Sequence, residues 1–107
     1  MSRLSVVLPA YNEEQILAKT CRTLKEILSF SEIEYELVFV DDGSSDKTWN
    51  VIEKVSKEDR NISGIHFSRN FGKEAAIIAG LAQASGDAVA VMDCDLQHPP
   101  ETLVKMF

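Results

Sequence analysis

"AVAVMDCDLQHPPE", residues 88–101, is the stretch on which the reading of the whole chain turns. Ala88-Val89-Ala90-Val91-Met92 is short, apolar and valine-rich, and Gly86-Asp87 precedes it. That pattern predicts a buried strand. Asp93 and Asp95 then stand where the strand leaves its sheet. In extended backbone, residues two apart point to the same side, so the two carboxylates can converge. Hard oxygen ligands of this kind suit Mg²⁺ or Mn²⁺. Pro99 and Pro100 fit the first turn of a new helix, with Glu101 favourable near its positive end. An Asp-x-Asp pair alone reads equally well as two solvated loop acids, so the rest of the chain has to decide.

Upstream, Leu4-Ser5-Val6-Val7-Leu8 predicts a first strand ended by Pro9. Asn12 and Gln15 make a capping-box pattern. Leu17, Cys21, Leu24 and Leu28 then form one helix face, with Lys19, Arg22, Lys25 and Glu26 left for water. Tyr35 to Val40 is the second strand, and it runs into the turn-rich Asp41-Asp42-Gly43-Ser44-Ser45-Asp46. Trp49, Ile52 and Val55 mark a second helix. Ile62 to Phe67 is a third strand. Asn70 caps a third helix, Phe71 to Ala84, closed by Gly86. Ala75, Ala76, Ala79, Gly80 and Ala82 make that helix thin, which suits close packing on a sheet or simply good helix propensity. Strands alternating with helices argue for an α/β fold: a Rossmann-like parallel sheet with helices on both faces.

The 107 residues suffice for one domain, 1–107, with a modest core. A formal charge of −6 argues against nucleic acid as a partner, since that binding runs on Lys and Arg. Cys21 and Cys94 have no metal or redox spacing and suit a reduced, cytoplasmic setting. No secretory signal is visible, and no apolar run approaches the length of a membrane span. The stop at Phe107, just inside a predicted helix, suggests a piece of a longer protein.

In open parallel sheets, ligands bind beyond the carboxyl ends of the strands. The four predicted strand ends carry Pro9-Ala10-Tyr11-Asn12-Glu13, Asp41-Asp42-Gly43-Ser44, Ser68-Arg69-Asn70 and Asp93-Cys94-Asp95. Three of the four bear carboxylates. Crowded carboxylates repel and raise each other's pKa; a divalent cation removes that problem and seats a diphosphate. The first strand-to-helix turn has no G-x-G-x-x-G, and G-x-x-x-x-G-K-[ST] is absent throughout. A metal-bridged phosphate site is therefore favoured over a backbone cradle. Tyr11 and Asp42 could supply the flat partner and the acceptor that a nucleobase needs.

Four segments, LPAYNEE (8–14), VDDGSSDKT (40–48), SRNFGKEAAIIAGL (68–81) and DCDLQHPPE (93–101), resemble family 2 glycosyltransferases with the GT-A fold. The nearest likeness is to the polyprenyl-phosphate glycosyltransferases, of the dolichol-phosphate mannose synthase and undecaprenyl-phosphate glucosyltransferase types. The resemblance covers essentially the whole chain and implies the nucleotide-binding half of that fold. It implies that Pro9, Tyr11 and Glu13 line the nucleotide pocket and that Val40 and Asp42 hold the base. It implies further that Asp93, Cys94 and Asp95 meet the nucleotide sugar, that Asp93 and Asp95 are catalytic, and that Asp93, Asp95 and Gln97 meet the cation.

The implied reaction moves a hexose, with inversion, from a nucleotide-diphosphate sugar to a lipid phosphate at the inner face of the cell membrane. Membrane contact would come only through parts outside this chain, and this chain alone would turn over little or nothing. A saccharide acceptor, a nucleotidyltransferase and a non-catalytic nucleotide-binding module remain as alternatives. Self-association through an uncovered apolar face is a further expectation. Simpler roles stand beside these. Tyr11 could be a surface aromatic, Glu13 could serve only a helix N-terminus, and Asp41 could cap its own loop. Arg69 and Lys73 could face phosphates or water, His98 could cap or pack, and Trp49 and Phe71 read as core.

Overall fold

A computed structural model describes residues 3–95. Seven elements alternate: β1 (Arg3–Ala10), α1 (Leu17–Phe30), β2 (Glu34–Asp41), α2 (Thr48–Glu58), β3 (Ile62–His66), α3 (Lys73–Gln83) and β4 (Ala88–Val91). The four strands form one parallel sheet in the order β3-β2-β1-β4. The α/β, Rossmann-like reading holds. The order also dictates where each helix lies. The first two crossovers step the same way along the sheet, and right-handed connections put α1 and α2 on one face. The third crossover steps back past β1, so α3 lies on the other.

Each strand serves both faces by alternation. Leu4, Val6 and Leu8 of β1, with Leu37 and Phe39 of β2, pack with Leu17, Cys21, Leu24 and Leu28 of α1 and Ile52 of α2. Val7, Val38 and Val40 face the other way, onto Ala76 of α3. The thin third helix is explained by its distance from the sheet. A Cβ on Gly80 would stand 2.3 Å from Val7 Cγ1. Trp49 is partly buried against the larger core, as expected.

Several boundaries differ from the sequence reading. β1 does not end at Pro9 but runs through Ala10. It pairs with β4 only from Leu4 to Val7, so at Pro9 that side of the strand is already a sheet edge, where proline is tolerated. β4 is half-buried rather than buried. Ala88 and Ala90 pack on the α1 side, while Val89 and Val91 are each 43% exposed because α3 covers β1 and β2 instead. Asn12 does not cap α1, whose N-cap is Ile16 without a side-chain bond. Asn70 does not cap α3, and Gly86 does not close it: the helix starts at Lys73 after Gly72 and ends before an extended Ala84. Gly86 instead donates its amide to Ser5 Oγ at 2.8 Å. Phe71 is not core; it is 52% exposed, lies edge-on to Phe67 and sits under the Arg69 guanidinium.

Candidate functional site

A sheet ordered 3-2-1-4 reverses direction between β1 and β4, and the splayed loops there open a crevice. A cavity of about 370 Å³ occupies that position. From β1 and the loop after it the cavity takes Pro9, Ala10, Tyr11 and Glu13; from just after β2, Asp42; from the start of α3, Lys73; and from the segment after β4, Asp93, Cys94 and Asp95. Asp42 and Asp95, 53 positions apart in sequence, therefore line one space. Of the described residues expected to meet a nucleotide, Val40 alone is absent from the lining. Its side chain is fully buried on the α3 side with Val7, Val38 and Ala76. Gln97 and His98, and the helix expected from Pro99 or Pro100, lie outside the described residues.

The carboxylates reach the rim by different means. After β4, Met92 keeps the strand direction by donating its amide to Val7 O at 3.0 Å. Met92 and Cys94 turn inward, 6% and 1% exposed, so Asp93 and Asp95 turn out. Asp42 is 4% exposed and heavily engaged. Its Oδ1 accepts the amides of Phe71 (2.9 Å) and Gly72 (3.2 Å), and Asn70 Nδ2 donates to its Oδ2 (3.3 Å) and its carbonyl (3.2 Å). Asn70 is thus a partner of Asp42, which is why it is lost to the helix as a cap. Asp41, fully buried, holds the same turn from beneath by accepting the Ser44 amide at 3.0 Å. His66 Nε2 faces its other oxygen at 3.4 Å.

Asn12 has φ 53° and laces the first loop to the second. Its Oδ1 accepts the Ser45 amide at 2.9 Å, and its own amide donates to Ser44 Oγ at 2.8 Å. Buried Thr48 accepts the Glu13 amide at 2.8 Å and donates its hydroxyl to Asp46. These positioning residues escaped the sequence reading. Asn12 and Asn70 have the sequence context of helix caps, and nothing local marks Thr48 as the partner of a residue 35 positions earlier.

The electrostatics suit a cationic ligand. Burial, then the charges of Asp95, Asp46 and Asp93, push the Glu13 carboxyl above its usual range. Among the described lining residues only Lys73 is cationic, and its Nζ lies 2.6 Å from Asp93 Oδ1. That pair is well exposed, so its contribution to stability is small. Burial, then the charges of Glu13 and Asp95, push the Cys94 thiol up to about 12. The donor set is hard oxygen. Among the described residues no group of three or more His, Cys, Asp or Glu side chains could by itself hold a metal ion. Two carboxylates completed by water and phosphate oxygens match how Mg²⁺ and Mn²⁺ are usually held, so the residues fit such an ion.

A second concavity, about 440 Å³, lies between α1 and α2, with Arg22, Lys25, Lys54, Glu26 and Glu58 on its walls. It is remote from the strand ends and mixed in charge. No helix among the described residues is long and apolar enough to cross a membrane.

Comparison with known proteins agrees with this geometry. The chain is 42% identical to the undecaprenyl-phosphate 4-deoxy-4-formamido-L-arabinose transferase of Proteus mirabilis, over 99% of this chain and 33% of that protein. It is also 42% identical to the bactoprenol glucosyl transferase of Shigella phage SfV, over 94% of this chain and 33% of that protein. The fold matches the Pyrobaculum calidifontis mannosyltransferase PcManGT, solved with GDP-Man and Mn²⁺, at a TM-score of 0.82 and 24% identity, over 96% of this chain and 30% of that one. The chain thus spans about a third of the length of each of these three proteins. The model of the family described as "Glycosyl transferase family 2" matches residues 5–107, nearly the whole sequence, and with a parallel sheet whose acidic strand ends share one cavity, the chain belongs to that family.

Proposed function

We propose that this chain forms the donor-binding half of an inverting glycosyltransferase that moves a hexose from a nucleotide-diphosphate sugar to a polyprenyl phosphate, with Mg²⁺ or Mn²⁺ as cofactor. The observation that carries the reading is the meeting of Asp42 and Asp95 in one cavity at the β1–β4 switch point. The printed names of the two relatives, one an undecaprenyl-phosphate and one a bactoprenol transferase, support the lipid acceptor. The ligands of PcManGT support a nucleotide sugar and a divalent ion. In the whole protein the reaction belongs at the inner face of the cell membrane, where a lipid phosphate would be presented.

The residues divide the work by chemistry. Tyr11, 48% exposed at the mouth, offers a ring for a base to lie against. Asp42 keeps its carboxylate in a fixed direction and has lone pairs left to accept a ring N–H. Asp93 and Asp95 hold the cation's side of the diphosphate. A bound Mg²⁺ or Mn²⁺ would stabilise the negative charge that builds on the departing diphosphate. Lys73 adds a second positive charge beside Asp93. A phosphate acceptor is already an anion at neutral pH, so this scheme asks no strong general base of the chain.

Calorimetric titration of the 107-residue chain with UDP, GDP and their sugars, with and without Mn²⁺, tests the proposal. Binding that requires the metal, with a dissociation constant of about 0.1–1 mM, is expected for one nucleotide series. UDP preference assigns a glucosyl-type donor and GDP preference a mannosyl-type donor. Absence of binding in both series refutes a donor site.

A further inference from the structure

We propose that Thr20, on α1, is a positioning residue for the Asp93–Asp95 pair, acting through the carbonyl of Cys94. The inference rests on the reading of the cavity as a nucleotide-sugar site. Thr20 sits on the apolar stripe of α1 between Leu17 and Leu24 and is only 3% exposed. A β-branched hydroxyl there is a poor helix former, and its polar atom must find a partner once buried. A threonine in a helix commonly bonds back to its own preceding turn. This one donates its hydroxyl out of the helix to Cys94 O, 74 positions away, at 2.5 Å and fully inside the protein.

The target of that bond is the middle residue of the acidic pair. Three anchors act on this short segment. The Met92 amide is tied to Val7 O, the Cys94 side chain is sunk in the core, and the Cys94 carbonyl is tied to Thr20. The first two fix where the segment lies. The third fixes the rotation of the Cys94–Asp95 peptide plane, between the two acidic residues, and hence the direction in which the Asp95 side chain leaves the backbone. Thr20 does not line the cavity and touches no ligand itself. It acts by preventing the turn from rolling, so the carboxylates meet an incoming cation without first being ordered.

The test uses Thr20→Val, which keeps the shape and removes the donor, and Thr20→Ser, which keeps the donor. Two readouts are taken: amide hydrogen exchange along the chain, and the affinity for UDP and GDP in the presence of Mn²⁺. For Thr20→Val, exchange of the Met92 amide, which is bonded to Val7 O at the base of the turn, is expected to quicken about tenfold and the dissociation constant to rise about tenfold, the scale of one lost buried hydrogen bond. Thr20→Ser is expected to stay within about twofold of the parent in both. Exchange and affinity unchanged in Thr20→Val overturn the proposal. So does exchange that quickens equally at Val6 to Leu8, because Thr20 then supports only the sheet. A parent chain that binds neither nucleotide, while exchange still quickens selectively, overturns the donor-site reading; Thr20 is then an anchor of the turn with no ligand to serve.

Discussion

Asp95→Asn raises the dissociation constant for the nucleotide with Mn²⁺ about a hundredfold, the expected scale of losing one charged ligand. The substitution preserves volume and keeps an oxygen at the rim, so it removes charge and little else. A second consequence needs no ligand. Asp95 is the leading neighbouring charge that raises the Glu13 carboxyl, after burial itself. Its neutralisation therefore lets Glu13 titrate at lower pH, although Asp46 and Asp93 still hold it up. Carboxyl chemical shifts followed against pH read this directly. A variant that binds as the parent does, with Glu13 unmoved, would show that Asp95 does not face the cavity in solution.

Gly43→Ala lowers the stability of the chain by about 3 kcal/mol, through strain and collision together. Gly43 has φ 72°, where a side chain is penalised by about 1–2 kcal/mol. A Cβ built there would lie 2.1 Å from the carbonyl carbon of Arg69 and 2.4 Å from the Asn70 amide nitrogen. Both are backbone atoms, so relief requires the whole 69–72 loop to move. That loop is what holds Asp42, through the amides of Phe71 and Gly72 and the side chain of Asn70. Nucleotide affinity falls with stability. Gly72→Ala is the control: φ is 105°, but no atom lies within 4 Å of the added carbon. It carries strain without collision: at φ 105° and ψ 157° the backbone is in an almost glycine-only region, and urea denaturation should show a loss of about 1–3 kcal/mol. A loss in Gly43→Ala no larger than the roughly 1–2 kcal/mol of backbone strain alone would remove the collision from the explanation.

The sequence exposed the architecture because each element carries its own period. Val6, Val7 and Leu8 on β1 and Leu17, Cys21, Leu24 and Leu28 on α1 announce strand and helix without help from distant residues. The acidic strand ends were legible for a related reason: in a parallel sheet, position along the chain already fixes which end of the sheet a loop occupies. What stayed hidden was decided at long range. Asn12 and Asn70 have the composition of helix caps, yet each found a better partner in the loop after β2. Phe71 has the composition of core, yet it follows a turn whose amides are drawn to Asp42, which leaves its ring near the surface. Val40, expected to hold the base, sends its side chain by strand alternation to α3 and away from the cavity lining.

The central claim is that the β1–β4 crevice, rather than the larger groove between α1 and α2, receives the nucleotide and its cation. Paramagnetic broadening of the amide resonances by Mn²⁺, added with UDP or GDP, locates the ion without any substitution. The account predicts broadening centred on Asp93 to Asp95 and extending to Tyr11, Glu13 and Asp42, with Arg22 and Lys54 unaffected. Broadening centred on Glu26 and Glu58 in the α1–α2 groove would contradict it.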